Sequence, residues 1–187
     1  MKLFKLLLVL ITVLGFVYYQ IDSYLFYYGR NDLPIYHRLP FKVIPEYRPA
    51  FEGGFVLRDQ DQVGFAGRGI RYAVDHREVV IQDILAYGFN AKEIVAIVND
   101  STGSKYYLKV SPMPASGSSM EVTLNSFEKI DSGSFTKWVT IEGKQGDIQR
   151  IWVLRNDILF ILMAIIPVIV VYAIKRTRRS NKKKGEL

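Results

Sequence analysis

Cysteine is absent from this chain of 187 residues, and histidine occurs only twice, as His37 and His76. The first absence excludes disulfides, thiolate-ligated metals and a thiol nucleophile. It does not fix the compartment, because many bacterial envelope domains fold without disulfides, but it argues against a small, disulfide-dense secreted scaffold. With so little histidine, a zinc site would need carboxylates to complete it. Asp75-His76-Arg77-Glu78 offers them in the wrong directions, since consecutive strand residues alternate faces.

Net charge is also missing from the middle of the chain. The whole sequence carries a formal +7, yet residues 30–157 hold 16 Lys/Arg against 16 Asp/Glu. A nucleic-acid-binding module needs its positive charge on the folded domain, so that class is excluded as a partner. The excess lies at the ends: Lys2, Lys5, and Lys175, Arg176, Arg178, Arg179, Lys182, Lys183 and Lys184, opposed only by Asp22 and Glu186.

Those basic residues flank the two longest apolar stretches. Ile158 to Ile174 is a charge-free run of 17 residues. As a helix it measures about 26 Å, slightly short of a hydrocarbon core of roughly 30 Å. Ile151-Trp152-Val153-Leu154 precedes it, with Arg155-Asn156-Asp157 expected at the headgroup level and Trp152 as an interfacial anchor. Pro167 falls mid-span, where a kink is expected. Leu6 to Tyr19 follows Lys2 and Lys5 and fits a signal peptide or an uncleaved signal anchor. The bulky Gly15-Phe16-Val17-Tyr18-Tyr19 lacks the small residues a signal peptidase requires, which favours the anchor. Tyr18, Tyr19, Tyr24, Phe26, Tyr27 and Tyr28 suggest an aromatic belt at the far interface.

Cations remain on the cytoplasmic side of spans, so both termini are expected inside and the middle outside. The chain divides on this basis into a cytoplasmic N-terminus (1–5), a transmembrane signal anchor with its aromatic belt (6–28), an extracytoplasmic β-rich domain (29–157), a second transmembrane helix (158–174) and a basic cytoplasmic tail (175–187). The expected location is a cell membrane of the bacterial inner-membrane kind. The seven tail cations are the candidate contacts to anionic lipid headgroups, at about 1 kcal/mol each before screening.

Residues 31–50 contain Pro34, Pro40, Pro45 and Pro49, four of the seven prolines in the chain. Missing donors and restricted preceding residues make that stretch extended or irregular. Gly53, Gly54, Gly64, Gly67 and Gly69 suggest turns between short strands. Glu78 to Phe89 reads as a strand, although Val80, Ile84 and Tyr87 also fit a helical stripe. Glu93–Val98 and Lys105–Val110 form a hairpin across the polar turn Asn99–Ser104. Alternation groups Ile94, Ala96 and Val98 with Tyr106, Leu108 and Val110 on one buried face. After a Ser/Pro/Gly loop (111–119), strands are expected at 120–130 and 137–142. The fold class is thus two transmembrane helices flanking a small antiparallel β meander, with an α+β arrangement as the alternative.

Several local patterns carry less than they suggest. Asp59-Gln60-Asp61-Gln62-Val63-Gly64 begins like a calcium loop, but Val63 and Ile70 occupy positions that need oxygen ligands, which leaves a polar turn. Ser126-x-x-Lys129 and Ser134-x-x-Lys137 match an acyl-transfer motif that works only on a helix. Gly64-x-x-Gly67-x-Gly69, with Arg68 and Arg71 beside it, has the composition of a phosphate cradle but neither its glycine order nor its strand–loop–helix frame. Asn99-Asp100-Ser101 is a glycosylation sequon, relevant only in a eukaryotic secretory pathway.

No catalytic constellation, cofactor motif or metal set emerges. The expected function is a non-enzymatic envelope protein whose outer domain engages another membrane or envelope protein, or itself. A small-molecule or cell-wall-fragment domain using Asp75, His76 and Glu78 is the first alternative. A regulatory subunit that holds a cytoplasmic partner through the basic tail is the second.

Overall fold

A computed structural model describes residues 2–33, 39–48, 54–59, 61, 63–74, 76–112, 120–127 and 130–184, with residues 2, 3 and 176–184 described by backbone alone. His37, Asp75 and residues 113–119 of the Ser/Pro/Gly loop lie outside the described residues, whereas Ser111 and Pro112 end a strand. The chain separates into two compact units, one of Met1–Asp22 with Gln149–Leu187 and one of Ser23–Ile148.

The first unit is helical. Helix α1 spans Lys2–Leu25 and helix α2 spans Gln145–Lys184, whose first turn belongs to the other unit. Both are long and apolar enough to cross a membrane, with mean hydropathy 2.0 and 2.7 over their most apolar windows. Two contacts make the helices antiparallel: Phe4 stacks on Tyr172 with ring centroids 5.6 Å apart, and Arg155 Nη1 donates to Asp22 Oδ1 at 2.7 Å. Helix α2 differs from the sequence expectation by starting well before Ile158 and running unbroken through Arg155-Asn156-Asp157; Pro167 lies inside it. Those three polar residues do not interrupt a helix whose flanks are rich in Ile, Leu and Val; Arg155 reaches across it to a carboxylate instead. Lys175 is exposed on α2, and the backbone of 176–184 continues the helix.

The second unit is β-rich and antiparallel throughout. A three-stranded sheet runs β1 (Ile44–Tyr47), β2 (Phe55–Arg58) and β3 (Gly64–Ala66) in spatial order. Pro45 is tolerated because β1 is an edge strand, where a missing donor leaves no gap in the ladder. The larger sheet follows chain order: β4 (Arg71–Val74), β5 (Arg77–Phe89), β6 (Ile94–Asp100), β7 (Lys105–Pro112) and β8 (Met120–Ser126), with β9 (Lys137–Thr140) also paired to β5. The expected meander is present, with the 120–130 strand ending at Ser126 and the 137–142 strand at Thr140. Ser134 sits in a short 3-10 turn (Ser132–Ser134) rather than on a strand, with Lys137 opening β9.

The β6–β7 hairpin pairs Ile94 with Val110, Ala96 with Leu108 and Val98 with Tyr106. Ile94, Ala96, Val98, Leu108 and Val110 are fully buried, while Tyr106 is only partly covered. Val95 is buried as well, so β6 is enclosed on both faces, which its uninterrupted Ile-Val-Ala-Ile-Val run reflects. The remaining core comes from Phe55, Leu57, Ile81, Ile84, Tyr87 and Val139.

The expected aromatic belt divides. Phe26–Tyr28 forms a 3-10 turn after α1, and Phe26 is fully buried in the β-rich core. Tyr27 stacks on Phe89 at 6.1 Å, with Lys137 Nζ 3.4 Å above its ring, and Tyr87 Oη donates to its carbonyl at 2.8 Å. Phe26 is thus part of a protein core and Tyr27 packs against it, while Tyr19 and Tyr24 stay exposed. Gly29 ends the turn in a left-handed conformation, and the β1 backbone passes so close that a Cβ there would lie 2.6 Å from Glu46 Cα.

Gly88 plays a similar part on β5, where it faces Trp138 and Phe135. A Cβ at Gly88 would sit 2.7 Å from Trp138 Cζ3 and 3.0 Å from Phe135 Cγ. Gly88→Ala is therefore expected to cost about 1–3 kcal/mol by overpacking. Gly146→Ala, which meets nothing within 4 Å and lies in the first turn of α2, should not destabilise and gains up to about 1 kcal/mol from helix propensity. Thermal unfolding of the detergent-solubilised chain compares the two, and a harmless Gly88→Ala would contradict the seating of Trp138 on β5.

Candidate functional site

Strand β5 is unusual because its two edges are treated differently. Strand β6 pairs with one edge from Ile81 to Phe89. On the other edge, β4 pairs with Arg77–Val80, extended by Ile81 N donating to Ile70 O at 2.9 Å, and β9 pairs with Ala86–Phe89. Between them, around Gln82–Leu85, neither β4 nor β9 pairs with that edge. The β5–β6 register shifts twice in this stretch, between Ile81 and Asp83 and again between Ile84 and Ala86. Such bulges turn backbone and side chains out of the regular ladder.

The groups released by the bulges are caught locally. Arg68, on the turn between β3 and β4, donates through Nε to Gln82 O at 3.2 Å and through Nη2 to Asp83 Oδ1 at 2.9 Å. Asp83 N donates to Asn99 Oδ1 on β6 at 2.9 Å. The Leu85 carbonyl accepts two amides, Ile141 N at 2.8 Å and Glu142 N at 2.9 Å, which ties the exit of β9 to the second bulge. The gap is thereby pre-organised around fixed polar groups.

Over this gap lies a cleft of about 650 Å³, walled by Arg68, Asp83 and Asn99 on one side, by Glu142, Gly143 and Gln145 on another, and by Tyr47 and Phe55 from the smaller sheet. The volume suits a drug-sized ligand or a short peptide segment. Donors and acceptors of both charge signs stand side by side: a guanidinium, two carboxylates, two side-chain amides and the Tyr47 phenol. Arg30 covers one face of Tyr47 from 4.0 Å and holds that ring in place. The Arg68–Asp83 pair is about half exposed, 43% and 48% by side chain, so its contribution to stability is small, about 0–1 kcal/mol.

Sequence reasoning picked out Arg68 only as a neighbour of glycines and Asn99 only as the start of a sequon and turn, and passed over Asp83, Glu142 and Gln145. One signal was present. Gln82-Asp83 puts two polar residues in succession inside an otherwise β-branched and aromatic strand, a break in alternation that a bulge accommodates.

The other flagged residues are elsewhere. His76 and Glu78 occupy the exposed β4–β5 hairpin tip, His76 in a left-handed turn position and Glu78 paired with Arg71 at 3.1 Å. They border an open hollow together with Arg71 and Arg77, not a deep pocket. Asp59 caps its turn by accepting Val63 N at 2.9 Å. The Gly67–Gly69 segment is the turn that presents Arg68.

No protein-family model matches the chain, and no similar protein was found among curated proteins or solved structures.

Asn99 is held by the β6–β7 turn that follows it. There, Asp100 Oδ1 accepts from Thr102 Oγ1 at 2.6 Å, Thr102 N at 2.8 Å and Ser104 N at 3.0 Å, and Oδ2 accepts from Tyr106 Oη at 3.2 Å. These bonds, led by the Thr102 hydroxyl, hold the Asp100 carboxyl below its ordinary 3.8. A carboxylate lowered on folding stabilises above its ordinary value and loses that contribution as pH falls through the lowered one. The Thr102 and Ser104 amides should therefore stay protected from neutral pH to below 3.8, and lose protection only under stronger acid. Asp100→Asn should weaken that protection at neutral pH. Amide chemical shifts against pH test this, and a midpoint at or above 3.8 contradicts the turn's bonding.

Proposed function

We propose that this chain is a two-pass membrane protein whose β-rich domain works outside the cytoplasm, where its cleft holds a polar, extended segment of another envelope protein. The membrane part of the reading rests on two apolar helices and on where the cations fall. Lys2 and Lys5 precede the first apolar run, seven Lys/Arg follow the second, and residues 30–157 are electrically balanced. On this orientation the tail from Lys175 to Lys184 faces the anionic headgroups of the cytoplasmic leaflet.

The observation that carries the binding role is the polar cleft over the part of β5 that neither β4 nor β9 covers. A cleft walled by polar side chains of both signs suits a polar peptide segment better than an apolar small molecule. The peptide's backbone amides and carbonyls need matched acceptors and donors, and its charged side chains need counter-charges. Arg68, Asp83, Asn99, Glu142 and Gln145 supply these groups at the cleft wall. The role is binding and not turnover.

Photo-crosslinking in intact cells tests the role. A photoreactive residue at Asn99 or Gln145 should give a discrete protein adduct, and one at Glu121, exposed on β8 and outside the cleft wall, should not. Asp83→Arg should abolish the adduct while changing stability by no more than about 1 kcal/mol, because Asp83 is half exposed. Absence of an adduct at both cleft positions, or its survival in Asp83→Arg, would count against the proposal.

A further inference from the structure

Asp22 and Arg155 are the most deeply buried ion pair among the described residues, with side-chain exposures of 0% and 1%. Each stands three positions outside an apolar run: Asp22 after Tyr19, Arg155 before Ile158. On antiparallel helices that symmetry brings opposite charges to one level. The second contact repeats the register at the far end. Phe4 lies 18 positions before Asp22, and Tyr172 lies 17 positions after Arg155. At 1.5 Å per residue the two separations are about 27 and 26 Å, so one helical register satisfies both contacts.

We propose that Asp22 and Arg155 form a charge clamp that makes α1 a permanent partner of α2, so that the first helix is retained in the mature protein and is not removed as a signal peptide. A buried guanidinium is strongly unfavourable unless a carboxylate meets it in good geometry, and breaking such a pair costs far more than an exposed pair contributes. Arg155 also lies on the flank where a cation opposes the topology rule, and Asp22 cancels it there. Removal of the chain through Asp22 would take away both the carboxylate and Phe4. The inference uses the membrane location of the two helices but not the cleft, so it stands or fails apart from the binding role.

The full chain, expressed and extracted from membranes, supplies the first test: its intact mass should include α1. A product that begins after Asp22 overturns the proposal. Charge exchange supplies the second. Asp22→Arg and Arg155→Asp should each lower the amount of membrane-integrated protein several-fold, Asp22→Glu should retain it, and the double exchange should recover to within about twofold of the parent. In the cysteine-free chain, Phe4→Cys with Tyr172→Cys should be joined within one molecule by a short bifunctional thiol crosslinker. That crosslink should fade in Asp22→Arg and return in the double exchange. A double exchange no better than either single variant, or a crosslink indifferent to Asp22, overturns the clamp.

Discussion

Strand β5 is the constraint on which the β-rich domain depends, because three other strands are registered on it. Strand β6 takes one edge along nine residues, Ile81–Phe89, and β4 and β9 share the other from opposite ends. Ile81, Ile84 and Tyr87 place its side chains in the core. A strand so thoroughly fixed can hold two bulges without losing its register, since the ladders beyond each bulge keep it in place. The cleft lies on the other edge, where β4 has ended and β9 has not begun, and Arg68 and the Ile141–Glu142 amides fill that interruption with hydrogen bonds.

Much of this fold was legible in the sequence. Density of β-branched residues and a polar turn at Asn99–Ser104 identified the β6–β7 hairpin and all but one residue of its buried face. Tyr106 departs because its hydroxyl reaches out to Asp100, which keeps the ring at the rim. Strand was the right reading of 78–89 against the helical stripe, because β-branched residues pack well on a pleat and poorly in a helix. The three-stranded sheet was visible only as spaced glycines, since strands of three or four residues are too short for alternation to show.

The long-range features were not legible. Local pattern reports which way a side chain alternates but not which distant edge its strand joins, so neither the shared edge of β5 nor the gap between β4 and β9 could be foreseen. The ion pair was hidden for a related reason. Asp22 and Arg155 are 133 positions apart, and each alone resembles an ordinary polar residue at the end of an apolar run. Only the antiparallel register of α1 and α2 turns them into a pair. The burial of Phe26 was equally hidden, since an aromatic just past a hydrophobic helix looks interfacial until a core is found to enclose it.

The proposed role depends on the side of the membrane to which the β-rich domain is delivered, because an envelope partner can reach the cleft only from outside. The chain contains no cysteine, so a single introduced thiol reports one location without background. Ser101→Cys lies in the exposed β6–β7 turn, and Ser180→Cys lies in the basic C-terminal segment. With a membrane-impermeant thiol reagent on intact cells, or on spheroplasts where an outer membrane is present, Ser101→Cys should label at once and Ser180→Cys only after permeabilisation. Labelling of Ser180→Cys but not Ser101→Cys in sealed cells would invert the orientation and contradict the account.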